Sequence, residues 1–373
     1  MARRSSIRGP EAPTGWLFVA PAVLIIGVFL VLPILLAIYV SVSDWNGLGS
    51  PLRNSEFVGG ENYAEVLVEP GLGQRDFGTS IRNNLYYVIG VVPLQTALAL
   101  FLAVQVNRRL LKARGFFRTA FYFPSVTSSI AITTIFIFLF TASGAVNRVI
   151  SWFGATGPNW FADPRGVGHL VLSLFGIDGS GPLGSPAILG LTWWDWLAGP
   201  SVAMCVLIIL AVFTTSGTFM LLFLAALQNI SAEVDEAATV DGVGPFRKFF
   251  SVTLPLLKPT LFTVLTLGLI GTWQVFDQIY LTGGGDPGKT TLTPAFLVYQ
   301  TSFRDLNWGE GTAISFILFA IIVLFTLLQR WILRDRDGTR GAAKRERRDY
   351  QRLVADAARA RARGVDSSTE APR

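Results

Sequence analysis

Trp273, Asp277 and Tyr280 recur at i, i+4 and i+7 near the end of an apolar segment. That spacing places them on one face of a continuous helix. A ring beside a carboxylate suits a sugar: the ring stacks on C–H faces while the carboxylate accepts hydrogen bonds from hydroxyls. A carboxylate at the centre of a bilayer costs roughly 2.5–3.5 kcal/mol, so it faces protein or water. The same three residues also suit an aromatic belt at the membrane–water interface, with Asp277 at headgroup depth, and both readings stay open. Gln95, Tyr87 and Ser128 are further polar residues inside apolar segments. Each serves either a solute path or a hydrogen bond between helices.

A second constellation has no bond-making chemistry and a clear mechanical one. Residues 231–259 read SAEVDEAATVDGVGPFRKFFSVTLPLLKP, a polar loop between two apolar segments. Ser231 suits a helix N-cap, and Glu233, Asp235 and Glu236 suit the positive end of the dipole. Val234, Ala237, Ala238 and Asp241 follow i, i+3, i+4, i+7 and are expected on one face, where small alanines let another surface approach. Gly242 and Gly244 permit a turn, and Pro245 suits the first turn of a second helix. Phe246, Phe249, Phe250 and Thr253 form the stripe of that helix, and Leu254-Pro255 is expected to stop it. The alternative is an amphipathic loop packed on its own bundle.

Other motifs carry less. Residues 283–290, GGGDPGKT, fit the phosphate-loop pattern GxxxxGK[ST]. Such a loop needs a buried strand before it and a helix after it. Here a membrane segment precedes it and Pro294 follows closely. His169 and Cys205 are the single residues of their types, so neither a disulfide nor a His/Cys metal site is expected within the chain. No nucleophile, base and metal constellation marks an enzyme.

The elements that position these residues are apolar. Of 373 residues, 51% are hydrophobic and 15% charged, where soluble domains carry about a quarter charged. Six segments, roughly 16–40, 82–106, 118–142, 201–227, 260–281 and 312–333, are long enough to cross a bilayer as helices. Arg3, Arg4 and Arg8 precede the first. Arg108, Arg109, Lys112, Arg114 and Arg118 follow the second, Arg247, Lys248 and Lys258 the fourth, and a basic run starts at Arg330. The loop 41–81 leans acidic. The positive-inside rule then puts both termini and the 231–259 loop in the cytoplasm. Residues 1–15 form a basic lead, 16–333 a six-helix domain, 143–200 an external loop, and 334–373 a basic tail expected to lack a fold.

The spacing of Glu236-Ala237-Ala238, Asp241-Gly242 and Leu254-Pro255 resembles the EAA loop of bacterial ATP-binding-cassette (ABC) importer permeases. GWLFVAPAVLIIGVFLVLPILLAIYVSVSDWNGLG (15–49), FVGGENY (57–63), NRRLLKARGFFRTAFYFP (107–124), FLAALQNI (223–230) and QVFDQIYLTGGG (274–285) extend the likeness to the sugar-importer permeases of the maltose and glycerol-phosphate type. The external stretch near 165–200 and the C-terminal tail exceed the usual family length. The resemblance implies an all-α, six-transmembrane-helix, type I permease of the bacterial inner membrane with a cytoplasmic coupling loop. It implies a second homologous permease, two ATPase subunits that bind ATP and Mg, and an extracytoplasmic solute-binding protein; no nucleic acid and no cofactor on this chain are expected. A sugar or oligosaccharide is the expected solute, with a polyol phosphate as the nearest alternative. An ion- or proton-coupled transporter would need a relay of buried ionisable groups, and the segments offer little beyond Asp277.

Overall fold

The computed structural model describes residues 12–108, 112–179 and 181–333. Two compact units divide the chain, Met1–Leu324 and Phe325–Arg373. Of the second, 325–333 are described, helical to Ile332. Most of the basic lead and the whole 334–373 tail lie outside the described residues.

Among the described residues the regular structure is helical, with isolated β-bridges and no strand. Helices α1 (Ala12–Ile26) and α2 (Leu32–Val40) join through a π turn into the first apolar crossing, Gly15–Val40. α3 (Glu61–Leu67) leads into the long α4 (Leu72–Asn107). Then come α5 (Arg114–Val126), α6 (Ser129–Leu139), α7 (Ala145–Trp152), α8 (Val167–Leu174), α9 (Trp193–Trp196) and the long α10 (Val202–Gln228). The loop helices α11 (Ala232–Val240), α12 (Pro245–Lys248) and α13 (Leu254–Leu256) follow, then α14 (Lys258–Trp273), α15 (Asp277–Leu281), α16 (Pro294–Tyr299) and α17 (Trp308–Ile332).

Two crossings depart from the expectation. Helix α4 starts at Leu72 rather than near 82, because Arg75, Asp76 and the polar turns after them are helical although they are not apolar. The expected span 118–142 is two helices, α5 and α6, bent by 94°. Pro124 removes a backbone donor near the end of α5, and Thr127 and Ser128 take extended ψ values of 143° and 131°. Counted as one crossing, this pair brings the total to six.

The core is built on α4 and α10, which pack along each other, with α5 against α10 and α14 against α4. Helix α10 is apolar apart from its Thr214–Thr218 stretch and is the most enclosed of the candidate crossings, with Met204, Leu207, Leu210, Met220 and Phe223 among its buried side chains. The first crossing is the opposite case: along α1 and α2 only Val40 is buried among the residues whose burial is described. Its apolar surface therefore needs a hydrophobic environment outside the chain.

Connections sort to two ends. At one end the exit of the first crossing is tied down by Asn62, whose Nδ2 donates to the carbonyls of Ser41 and Ser43 (3.0 and 2.9 Å). The Trp45 carbonyl accepts from the backbone of Trp308 (3.1 Å). Asn83 Nδ2 donates to the carbonyls of Lys289 and Leu292 (2.7 and 3.0 Å), and the Tyr86 hydroxyl donates to the Trp196 carbonyl. At the other end, Ala103 and Val106 of α4 and Phe223 and Leu227 of α10 form a buried cluster with Leu257 and Val264.

The segment 283–290 belongs to the first of these ends. Lys289 Nζ sits 2.7 Å from both carboxylate oxygens of Asp76. Its charge is already matched, and the segment follows a helix rather than a strand. The literal phosphate-loop match is a tie between α4 and the loop.

Candidate functional site

The first candidate is the loop between α10 and α14. Helix α11 ends in a left-handed cap: Gly242 has φ +67°, and the Val243 amide donates to the Ala238 carbonyl (3.1 Å). That bond, five residues back, satisfies a carbonyl the helix end would orphan. A Cβ on Gly242 would meet nothing within 4 Å, so the requirement for glycine is conformational.

The face expected from Val234, Ala237, Ala238 and Asp241 splits. Ala238 is buried and Val234 half-buried, while Ala237 and Asp241 are exposed beside the exposed Glu236. Val240 (87%) and Phe246 (79%) also stand out, as does Phe250. Among the described residues nothing covers these apolar side chains, and exposed apolar surface of this kind marks an interaction site.

Leu254-Pro255 does not stop the second helix, as the sequence led us to expect. Phe249–Thr253 form a π turn, closed by the Leu254 amide on the Phe249 carbonyl, and helix resumes through α13. The wider turn absorbs a proline that an α-helix interior would reject. Leu257 then plunges into the buried cluster, 1% exposed, and starts α14.

The second candidate is a cavity of about 260 Å³ walled by α4, α10 and α14, with the break after α14 on its margin. Tyr87 and Gln95 come from α4, Thr214, Thr215 and Phe219 from α10, Gly268 and Thr272 from α14. Gln274, Phe276, Asp277 and Gln278 come from the break and the start of α15. A neighbouring cavity of about 290 Å³ shares Thr214, Thr215, Phe219 and Gln278 and reaches Ser125, Thr127 and Ser129 at the bend between α5 and α6.

Gln95 is the most constrained polar group in this wall. It is 1% exposed. Its Oε1 accepts from the Thr215 hydroxyl at 2.5 Å. Its Nε2 is buried without an acceptor. A Cβ on Gly268 would lie 2.3 Å from that nitrogen, so only glycine leaves the amide its place. An unsatisfied buried donor costs about 1–3 kcal/mol, and because this nitrogen is enclosed here an acceptor relieves it only after the wall shifts.

The structure brings Tyr87, Gln95 and Asp277 together and separates the others. Trp273 is fully buried in the core. Helix α14 ends there, residues 274–276 break the helix, and α15 restarts at Asp277. The i, i+4, i+7 face therefore does not exist. At the break, Thr293 Oγ1 donates to the Val275 carbonyl (3.1 Å), satisfying a group the lost helix would have paired. Tyr280, 46% exposed, packs instead with Phe276 (5.7 Å) and Tyr299 (5.6 Å). Ser128 holds the N-cap position of α6, and its neighbours Thr127 and Ser129 line the second cavity. Sequence reasoning missed Thr214, Thr215, Gln274 and Gln278; the threonine pair inside an apolar run was the available signal.

His169 stacks on Trp194 (4.1 Å between ring centroids, 8° between planes) and meets its carbonyl at 2.9 Å, a packed rather than a solvated histidine. The Arg165 guanidinium beside Asp163 holds that carboxyl below its ordinary range through a 2.6 Å ion pair. Among the described residues no cluster of His, Cys, Asp and Glu could hold a metal ion.

Comparison with known proteins adds to this geometry. Residues 95–337 match the model of a family described as "Binding-protein-dependent transport system inner membrane component". The lactose transport system permease protein LacF of Rhizobium radiobacter is 31% identical over 337 residues, covering 89% of this chain and 98% of that protein. The trehalose/maltose transport system permease protein MalF of Thermococcus litoralis is 30% identical, covering 89% and 97%. The fold matches a chain of a bacterial alginate ABC transporter, solved in complex with an alginate pentasaccharide-bound periplasmic protein. The TM-score is 0.65 at 17% identity, covering 87% of this chain and 96% of that one. With its helical bundle, its capped loop between α10 and α14 and its matched core, the chain belongs to the family of inner-membrane components of binding-protein-dependent transport systems.

Proposed function

We propose that the chain carries a sugar or oligosaccharide through the cavity walled by α4, α10 and α14, in an importer powered by separate ATPase subunits. The observation that supports this reading best is the Gln95 wall: a buried amide donor without an acceptor, held by Thr215, with Tyr87 two turns earlier on α4 and Asp277 and Phe276 at the margin. Donors, acceptors and a ring around one cavity fit a polyhydroxylated solute. The relatives named for lactose and for trehalose and maltose lend the solute class.

In this reading two ATPases, holding ATP and Mg, dock on the α11–α12 loop in the cytoplasm. A second homologous permease completes the path, and a binding protein delivers solute from the opposite side. Both termini are cytoplasmic, in keeping with the arginine asymmetry. Helix α14 is the mechanical link. It begins at the buried base of the loop and ends at the cavity wall, about 24 Å away at 1.5 Å per residue. Movement of the loop is carried along this rod to the break at 274–276, and the bundle alternates between two access states. ATP supplies the work, and no bond changes on this chain.

Gln95→Leu keeps the volume and removes both polar atoms. Uptake of radiolabelled lactose, maltose or trehalose by the assembled transporter is expected to fall roughly tenfold, from a loss of about 1.4 kcal/mol. Binding-protein-stimulated ATP hydrolysis should continue. Wild-type uptake by the variant, or a transporter that carries none of these sugars, would remove the assignment.

A further inference from the structure

The external insertion has a surface that the transport reading does not use. Helix α8 presents Val167, Leu170, Val171, Leu174 and the following Phe175 at i, i+3, i+4, i+7 and i+8, all exposed. Leu174 is 83% and Phe175 77% exposed. The histidine of the same helix points the other way, onto Trp194. An amphipathic helix in water does the reverse, turning its apolar stripe inward.

The attachment of α8 fixes its depth. The Val167 amide donates to the Pro200 carbonyl (2.9 Å), the Gly168 amide to Ala198 (2.8 Å), and the Val202 amide to Arg165 (3.1 Å). Gly168 is pressed so close that a Cβ would lie 2.2 Å from the Leu197 carbonyl oxygen. Ser201 caps α10 through the Met204 amide (3.0 Å) at the same point. Helix α8 therefore starts level with the first residue of a membrane crossing, where the chain passes from water to hydrocarbon.

Helix α7 repeats the pattern beside another crossing. It begins six residues after α6 ends. Asn147 fastens it to Trp160, whose indole donates to Asn147 Oδ1 (2.7 Å), and Trp160 packs edge-on against Phe140 (5.5 Å). Its free end shows Trp152 (75%) and Phe153 (84%). Exposed Trp and Phe at a crossing's end belong at headgroup level.

We propose that α7 and α8 seat these faces in the lipid headgroup region, as a collar on the leaflet at the α10 N-terminal end. The α8 stripe lacks acidic and basic residues, the one charge on α7 is the exposed Arg148, a turn before Trp152 and suited to an anionic headgroup, and Ile209 and Phe213 are exposed apolar residues on α10. These features favour lipid. A protein contact is the competing cover. The inference rests on the membrane fold and not on the identity of the solute.

The test is depth measurement on the assembled transporter in nanodiscs. A fluorophore is placed at Leu174→Cys, at Phe153→Cys and, for comparison, at Gly181→Cys, each in a Cys205→Ser background. Lipids carrying a nitroxide near the headgroup should quench emission at 174 and 153, and aqueous iodide should not. At 181 the order should reverse. The proposal is overturned if iodide quenches 174 and 153 as well as it does 181. It is equally overturned if lipid nitroxides leave them bright and only the binding protein shields them. All three positions are exposed; at 181 the left-handed backbone (φ +72°) strains a cysteine, so normal accumulation of that labelled chain is checked first.

Discussion

Gly242→Pro and Glu236→Lys are expected to reduce uptake by roughly a hundredfold while the chain still inserts and accumulates normally. Proline requires φ near −65°, whereas this residue sits at +67° and closes the α11 cap. The substitution therefore opens the turn without touching the apolar segments that direct insertion. Glu236 is exposed on α11, so lysine there disturbs no internal contact and reverses the charge offered to a docked ATPase. Loss of about 3 kcal/mol at such a contact lowers occupancy of the docked state more than a hundredfold. Binding-protein-stimulated ATP hydrolysis should fall in parallel with transport. Normal hydrolysis and uptake in both variants would mean that force enters the bundle elsewhere.

Leu257→Ala should produce the largest loss of stability. The side chain is 1% exposed within the cluster that joins α4, α10 and the loop. Truncating such a leucine costs about 2–5 kcal/mol through lost burial and a residual cavity. Its neighbour Leu256, 51% exposed, is the matched control and should change stability little. The denaturation midpoint of detergent-solubilised protein checks both. Because Leu257 is also the root of α14, its truncation should weaken coupling before it unfolds the bundle. Equal effects at 256 and 257 would contradict the anchoring role.

The loop was legible because its determinants are local. Gly242, Pro245 and the acidic first turn act within a few residues of themselves, and the cap forms where they place it. Five crossings were legible from apolar length, and the sixth expected span is the bent pair α5 and α6. What failed was continuity. Residues 273–277, Trp-Gln-Val-Phe-Asp, hold neither glycine nor proline, yet the helix breaks there. Thr293, remote in sequence, takes the Val275 carbonyl, and no local pattern announces that bond. The face of Trp273, Asp277 and Tyr280 vanished with the helix, and the buried tryptophan went to the core. Pro255 misled in the opposite sense, since a π turn let helix continue through it. Gln95 was visible as a polar residue in a span, but its free amide depends on Thr215 and Gly268 from two other helices.

The most direct measurement is uptake by reconstituted proteoliposomes. Vesicles holding this chain with the second permease, ATPases and binding protein proposed above should accumulate sugar only with ATP on the side of the α11–α12 loop. Vesicles holding this chain alone should accumulate none under any ion gradient. Gradient-driven accumulation by the chain alone, without ATP, would contradict the account.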